Sequence, residues 1–247
     1  MKTIRNILLK TLGFGGYLSF VSFIYLRLVN LGFFKSKYPE LFFLKKIIKP
    51  GFTCIDIGAN VGYYSHFLAK FAGKEGELYS VEPIPLFGKI WKKNVSQNIC
   101  KKTELLPFAL GGENSTVNMG TPLVHGVIHH GMTHIVKNGE ENIAQTFEVP
   151  MRIPDELFAN VSKVDFIKCD VEGYEQYVFG NLKNTLSKYK PLVQSELGGE
   201  ENRKFVITLF EDLGYKTCLL REHEELTEAS NDEKLYGVND FYFVPKK

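Results

Sequence analysis

From Gly51 onward, short runs of β-branched and aromatic residues alternate with stretches whose apolar positions recur every three or four residues. Phe52–Ile57 (FTCIDI) has the unbroken apolar character of a buried strand and is closed by Gly58. Glu77–Val81, Thr103–Leu110, Val164–Cys169, Pro191–Leu197, Tyr215–Leu220 and Asp240–Val244 have the same character. Between them, Tyr63–Phe71, Phe87–Ile99, Tyr174–Leu186 and Lys204–Leu213 read as helices. Ile90, Trp91, Val95 and Ile99 share one face of the second, and Gly214 ends the last. Strands separated by helices imply parallel crossovers and an α/β, doubly wound sheet, here of seven strands. The last two lack an intervening helix and are expected to pair antiparallel at one edge. Between the third and fourth strands lies a long insertion, 111–162, of a length usually reserved for functional segments or small hairpins. It is expected to act as a substrate lid.

The first fifty residues follow a different pattern. Residues 17–34, YLSFVSFIYLRLVNLGFF, form a helix-length apolar stretch. Its polar positions Ser19, Ser22, Arg27 and Asn30 fall within an arc of about 140°, interrupted by Phe23 and Leu26. Three arrangements satisfy this: a helix packed on the body or on a partner subunit, a helix lying in a membrane surface, or a span. A span takes about 20 apolar residues, and a central Arg is costly there. No small-x-small cleavage site follows the apolar stretch, which disfavours a signal peptide.

Charge separates the two parts. The formal net charge is +2, which argues against a nucleic-acid-coating protein. Residues 1–50 nevertheless carry nine Lys or Arg and the single acid Glu40, while 51–247 carry 21 bases and 27 acids. Peripheral contact between residues 1–50 and an anionic membrane is therefore expected, at the inner face of a cytoplasmic membrane. With 44% hydrophobic and 23% charged residues, whole-chain disorder is excluded. The four cysteines, at 54, 100, 169 and 218, form no C-x-x-C pair and suit a reducing cytoplasm.

In an open α/β sheet ligands bind at the carboxyl ends of the strands, so the residues after each strand carry the chemistry. The first strand runs into D-I-G-A-N-V-G, with Asp56, Gly58, Asn60 and Gly62. Its glycines allow a sharp turn, and the following helix would aim free N–H groups at a ligand. The spacing is neither G-x-G-x-x-G nor a Walker A loop, so a small zwitterion fits better than a pyrophosphate. A methionine-like carboxylate would sit on the helix terminus, with its amino group near Asp56 or a backbone carbonyl. Glu82 follows the second strand, twenty residues beyond Gly62, where an acid accepts hydrogen bonds from ribose hydroxyls; the other reading is a cap before Pro83. Phe108 and Ala109 could flank an adenine or be plain core. D-V-E-G-Y-E follows the fourth strand with Asp170 and Glu172, and Glu196 follows the fifth. These three acids could raise one another's pKa and serve as a general base, cap a helix, or hold Mg²⁺. No metal centre is assigned. His125, His129, His130 and His134 crowd the insertion, where metal binding, substrate contact and solvated loop chemistry compete. His66 is read as packing or surface, and Tyr63–Tyr64 as cofactor cover or core.

IDIGANVGYYS (55–65), SVEP (80–83), PFALGG (107–112), VDFIKCDVEGYE (164–175) and the P-x-x-x-x-E of 191–196 together resemble the FkbM-type methyltransferases over roughly 51–244. The resemblance implies a class I methyltransferase-like, Rossmann-like fold whose last strand is antiparallel. It implies S-adenosylmethionine as cofactor, held by Asp56, Gly58, Asn60, Gly62, Glu82 and Ala109, with Asp170, Glu172 and Glu196 on the catalytic side. It further implies O-methylation of a hydroxyl, on a small-molecule, sugar or glycolipid-type acceptor. Domains are expected at 1–50, a helical extension, and 51–247, the methyltransferase. A nicotinamide-dependent oxidoreductase and a non-catalytic membrane or partner adaptor remain as alternatives; the missing G-x-G-x-x-G counts against the first, and the intact D-x-G-x-N-x-G and D-V-E-G-Y-E blocks against the second.

Overall fold

The computed structural model describes residues 2–95, 99–124, 127–136, 140–237 and 240–246. In chain order the elements are α1 (Lys2–Asn30), α2 (Pro39–Ile47), β1 (Thr53–Ile57), α3 (Tyr63–Ala72), β2 (Glu77–Val81), α4 (Pro85–Asn94) and β3 (Lys102–Leu106). β4 (Ala109–Leu110) comes next, and the insertion supplies β5 (Ser115–Val124), β6 (Val127–Ile128), β7 (His134–Ile135) and β8 (Ile143–Arg152). Then follow α5 (Pro154–Leu157), β9 (Phe166–Cys169), α6 (Glu175–Gly180), α7 (Lys183–Tyr189), β10 (Leu192–Ser195), α8 (Glu200–Asp212), β11 (Tyr215–Leu220), β12 (Leu226–Glu228), α9 (Asn231–Tyr236) and β13 (Phe241–Pro245).

The main sheet has the order β3–β2–β1–β9–β10–β13–β11–β12. Strands β1, β2, β3, β9 and β10 are mutually parallel, and β13 runs antiparallel to both β10 and β11. All seven expected strands are present with the last antiparallel, which is the class I methyltransferase-like, doubly wound arrangement. Its core strands are buried on both faces, so β1 and β9 are buried at every position.

Several details differ from the sequence reading, each for a local reason. The last two strands do pair antiparallel, but β13 sits inside the sheet between β10 and β11 rather than at an edge. The edge belongs to β12, three residues too short to show periodicity. A helix also intervenes: Ser230 accepts the Glu233 N–H while Glu233 reaches back to the Ser230 N–H, a capping box that starts α9. The third strand stops at Leu106, because Pro107 cannot donate to the ladder; Ala109 and Leu110 pair with β8 instead. The expected helix over 174–186 is two helices, α6 and α7. Asn181 ends the first, and Asp155 starts the second by accepting the Asn184 and Thr185 N–H groups. Helix α4 ends at Asn94, and part of the expected run to Ile99 lies outside the described residues. The insertion builds a second sheet, β4–β8–β5–β6, with β7 on β5.

Helices α1 and α2 lie against the main domain. Their Leu26, Val29, Leu41 and Leu44 share one apolar cluster with Leu68 of α3 and Trp91 of α4. Two polar positions of α1 are tied to the domain: Asn94 donates to the buried Ser22 hydroxyl at 2.9 Å, and Lys70 donates to the exposed Asn30 Oδ1 at 2.6 Å. His66 lies 3.1 Å from Asn30 Nδ2, at the same junction. Phe20, Phe23 and Ile24 face outward. Leu26→Ala should therefore lower the unfolding free energy by about 2–4 kcal/mol, whereas Phe20→Ser should leave it within about 0.5 kcal/mol. Urea titrations of the two variants check the orientation, and the reverse ranking would overturn it.

Candidate active site

The site forms where strand order reverses. β1 and β9 lie side by side with Ile57 opposite Cys169, and their continuations part just beyond. There the Gly58 backbone, at φ +80°, passes so close to Asp170 that a Cβ would stand 1.8 Å from the Asp170 carbonyl oxygen. The Gly58 and Ala59 N–H groups both donate to the Val81 carbonyl at the end of β2. Asn60 N–H donates to Glu82 Oε2 at 2.8 Å, and Ile84 N–H to Glu82 Oε1 at 2.7 Å. Asn60 itself is in the left-handed region at φ +49°, and its Oδ1 accepts the Val61 N–H. The loop is thus held by its own amides. The N–H groups of Gly58 to Gly62 are spent within the loop or on β2 and Glu82, so the amides open to a ligand are those of the first turn of α3, from Tyr63 on, as expected for a helix start.

The loop borders a cavity of about 400 Å³, within the range of small-molecule sites. Of the sequence-derived candidates, Asp56, Gly58, Asn60, Glu82, Ala109, Asp170 and Glu172 line it. Gly62 does not; it lies at the start of α3, where an added Cβ would meet Trp91 and Val95 at 2.9 Å. Glu196 stands at the same rim, outside the lining, near enough that its charge raises Glu172. Asp56 lines the floor, but its Oδ2 accepts a 2.5 Å hydrogen bond from Ser65, whose hydroxyl also accepts the Trp91 indole N–H. Burial pushes Asp56 up to about 6 and Glu82 up to about 8.

The acids after β9 behave differently from one another. Glu172 is exposed as a residue, yet its carboxyl is largely surrounded by protein. Burial first, then the charges of Asp170, Glu196 and Glu175, push it up to about 7. Its backbone is left-handed at φ +52°, a conformation that costs a non-glycine residue about 1 kcal/mol or more. Asp170 is raised by burial but held down by Lys168, whose ammonium lies 3.9 Å away.

Lys168 is the residue the sequence reading passed over. It occupies β9, is buried, and lines the cavity beneath the Tyr64 ring, 5.0 Å from its centroid. Burial works against its charge, but Asp240, at 3.2 Å, and Asp170 more than offset that. A lysine inside an otherwise apolar strand (VDFIKC) was the available signal. The front end also reaches the site: Tyr25, Tyr38 and Leu41 form part of the cavity wall. The insertion supplies His130, whose carbonyl accepts from Asn60 Nδ2 at 3.0 Å while its Nδ1 lies 3.1 Å from Asn60 Oδ1. Burial lowers His130 to about 4, so its ring is neutral near pH 7. His134 pairs with Glu140 at 2.6 Å, His129 is exposed, and His125 lies outside the described residues. Among the described residues no three His, Cys, Asp or Glu side chains are grouped to hold a metal ion.

These groups fit the cofactor implied by the resemblance. A buried acid at the end of β2 suits a ribose, the slot between Ile84, Phe87 and Ala109 suits a flat base, and the acidic rim suits a cation.

The Methyltransferase FkbM domain matches residues 56–217. No curated protein matches the chain. Among solved structures, the chain is similar to the methyltransferase FkbM from Methylobacillus flagellatus KT, with TM-score 0.48 and 12% identity; the match covers 80% of this chain and 48% of that one. It is similar to precorrin-6y C5,15-methyltransferase from Geobacter metallireducens GS-15, with TM-score 0.45 and 11% identity over 81% and 82% of the two chains. It is also similar to Aeropyrum pernix fibrillarin with natively bound S-adenosyl-L-methionine, with TM-score 0.44 and 11% identity over 80% and 67%. The fold rests on the strand order above, not on these distant likenesses.

The buried acids set how the ligand-free protein's stability depends on pH. Asp56, Glu172 and Glu82 titrate natively near 6, 7 and 8, above ordinary values of 3.8 for Asp and 4.5 for Glu. Between those limits the native state holds protons that the unfolded chain has released, so stability falls as pH rises. The thermal midpoint should be higher at about pH 5.5 than at about pH 8.5, with Glu82→Gln flattening the slope. A midpoint that climbs across this interval would refute the assignment.

Proposed function

Because the chain belongs to the FkbM methyltransferase family and is an S-adenosylmethionine-dependent methyltransferase, we propose that it methylates a hydroxyl oxygen, on a sugar or glycolipid-type acceptor. The observation that carries this reading is the carboxyl of Glu172, near neutrality at the rim of the cavity that Asp56, Asn60 and Glu82 also line. When bound, S-adenosylmethionine supplies an electrophilic methyl on a cationic sulfonium, and the electrons of the broken carbon–sulfur bond leave with sulfur. Glu82 is assigned to the ribose hydroxyls, Ala109 to the base, and the loop from Gly58 to Asn60 to the amino-acid end. Glu172 takes the acceptor's hydroxyl proton as the new oxygen–carbon bond forms, since a base is most effective when its pKa lies near the working pH. Asp170, fixed by Lys168, orients the acceptor, and Glu196 keeps the rim negative and Glu172 basic. Most of the rate enhancement would come from holding oxygen and methyl in line. The rings of Tyr25, Tyr38, Tyr64 and Tyr174 around the cavity support a flat, polyhydroxylated acceptor with apolar faces. The insertion is assigned as the lid on this acceptor, because His130 and Thr133 reach the cavity. The four free, buried cysteines support a reducing, cytoplasmic setting.

Calorimetry should detect S-adenosylmethionine binding and no NAD binding; the opposite result would sink the assignment. Methyl-labelled cofactor incubated with fractionated cell extract should label an alkali-stable ether on a hydroxylated acceptor. Glu172→Gln should cut turnover about 10²-fold or more while changing cofactor affinity only a few-fold. Wild-type turnover should rise with pH to a plateau above about 7, and the variant should lose that limb. Undiminished turnover in the variant would remove Glu172 from the mechanism.

A further inference from the structure

We propose that the outer face of α1 and the turn after it dock on an anionic lipid bilayer surface. From Gly15 to Asn30 the helix lies along α4 with Leu18, Ser22, Leu26 and Val29 inward, within an arc of about 80° at 100° per residue. The opposite face holds Phe20, Phe23, Ile24 and Leu31, with exposures of 48%, 50%, 40% and 75%. A helix covering a soluble domain normally turns its polar side to water. Here the polar side chains of Ser22 and Asn30 are bonded to the body, while Phe20, Phe23 and Ile24 are outside. Arg27 is the one charge on that outer face, with its guanidinium 4.9 Å from the Phe23 ring centroid.

The charge around the face selects the occupant. Nine bases against one acid in residues 1–50 would repel the same face of a second copy, whereas an anionic lipid surface is complementary. Lys35 and Lys37 follow the apolar face and are exposed, Lys35 also pairing with Glu224 at 2.9 Å, and Lys10 is exposed upstream of it; bases flanking an apolar face are the arrangement of an interfacial helix. By length and composition Ile7–Asn30 is apolar enough to cross a membrane, although its backbone leaves helical geometry at Gly13, at φ +64° and ψ 174°. The helix cannot do so while its inner face is bonded to Asn94 and Lys70. The docked face also adjoins the cavity. Phe34, in the turn, stacks on Tyr25 at 5.8 Å, and Tyr25 lies 4.5 Å from Tyr63, both of them cavity-wall residues. An amphiphilic acceptor could thus pass its polar end from bilayer to site; this last clause rests on the transferase assignment, and the docking does not.

The test is co-sedimentation of the full chain with phosphatidylcholine vesicles, with and without phosphatidylglycerol, beside a parallel measurement of S-adenosylmethionine affinity. The chain should sediment with anionic vesicles, weakly with neutral ones, and less in high salt. The triple variant Phe20→Ser, Phe23→Ser, Ile24→Ser should keep its helical circular dichroism and cofactor affinity while losing vesicle binding by about tenfold or more. No binding to anionic vesicles, or undiminished binding by the variant, would overturn the proposal. So would a concentration-dependent dimer that the triple variant abolishes without any vesicle binding, which would assign the face to a second copy. Cofactor affinity is read independently of all these outcomes, so a failed methyltransferase assignment would be recognised separately.

Discussion

A single methyl group could not be placed between the backbones of Gly58 and Asp170. That close approach is where β1 and β9 stop being neighbours in a sheet and become two walls of a cavity. Everything chemical in the molecule is measured from it. On one side the chain curls through Asn60 and is tied to Val81 and Glu82; on the other it carries Asp170 and Glu172. An L residue at position 58 would be strained at φ +80° and would also force the two strand ends apart. Packing, backbone conformation and ligand geometry thus meet at one atom that is absent.

The second constraint is electrical. The body carries an excess of acids, and several gather at the carboxyl end of the sheet, where desolvation would discharge them. The buried Lys168 offsets two of them, Asp170 and Asp240, through contacts of 3.9 and 3.2 Å. Glu172 and Glu196 make no ion pair with it; burial first, then the charge of Asp170, raises both, and the charge of Glu196 adds to the rise of Glu172. One cation therefore divides like side chains into fixed charges and a titratable one, without any metal-type grouping among the described residues.

Much of this was legible in the sequence because parallel sheets bury both faces and so write continuous apolar runs; the ends of β1, β2 and β9 follow from those runs and their glycines. What escaped was decided by tertiary partners. The polar positions of α1 left packing, a membrane surface and a span all open; Ser22 and Asn30 find Asn94 and Lys70 on the domain, and periodicity alone cannot tell a paired polar side from a wet one. Lys168 was hidden by the apolar run around it. The position of β13 was not readable either, since strand composition does not say which neighbour a strand chooses. Ser230 and Glu233 form a capping box written in the sequence and simply overlooked.

The placement of β13 also bears on how the chain comes into being. Among the described strands it comes after β10, β11 and β12 in the chain, yet it fills the gap between β10 and β11. Until residues 241–245 have been made, those two strands have no bridge between them. Asp240, which immediately precedes β13, brings the partner that makes the buried charge of Lys168 tolerable. Vectorial synthesis can therefore lay down the cofactor loop early, but the cavity floor becomes neutralised and the sheet continuous in one late event. The sheet cannot be continuous, nor Lys168 paired with both of its acids, before this late segment is in place.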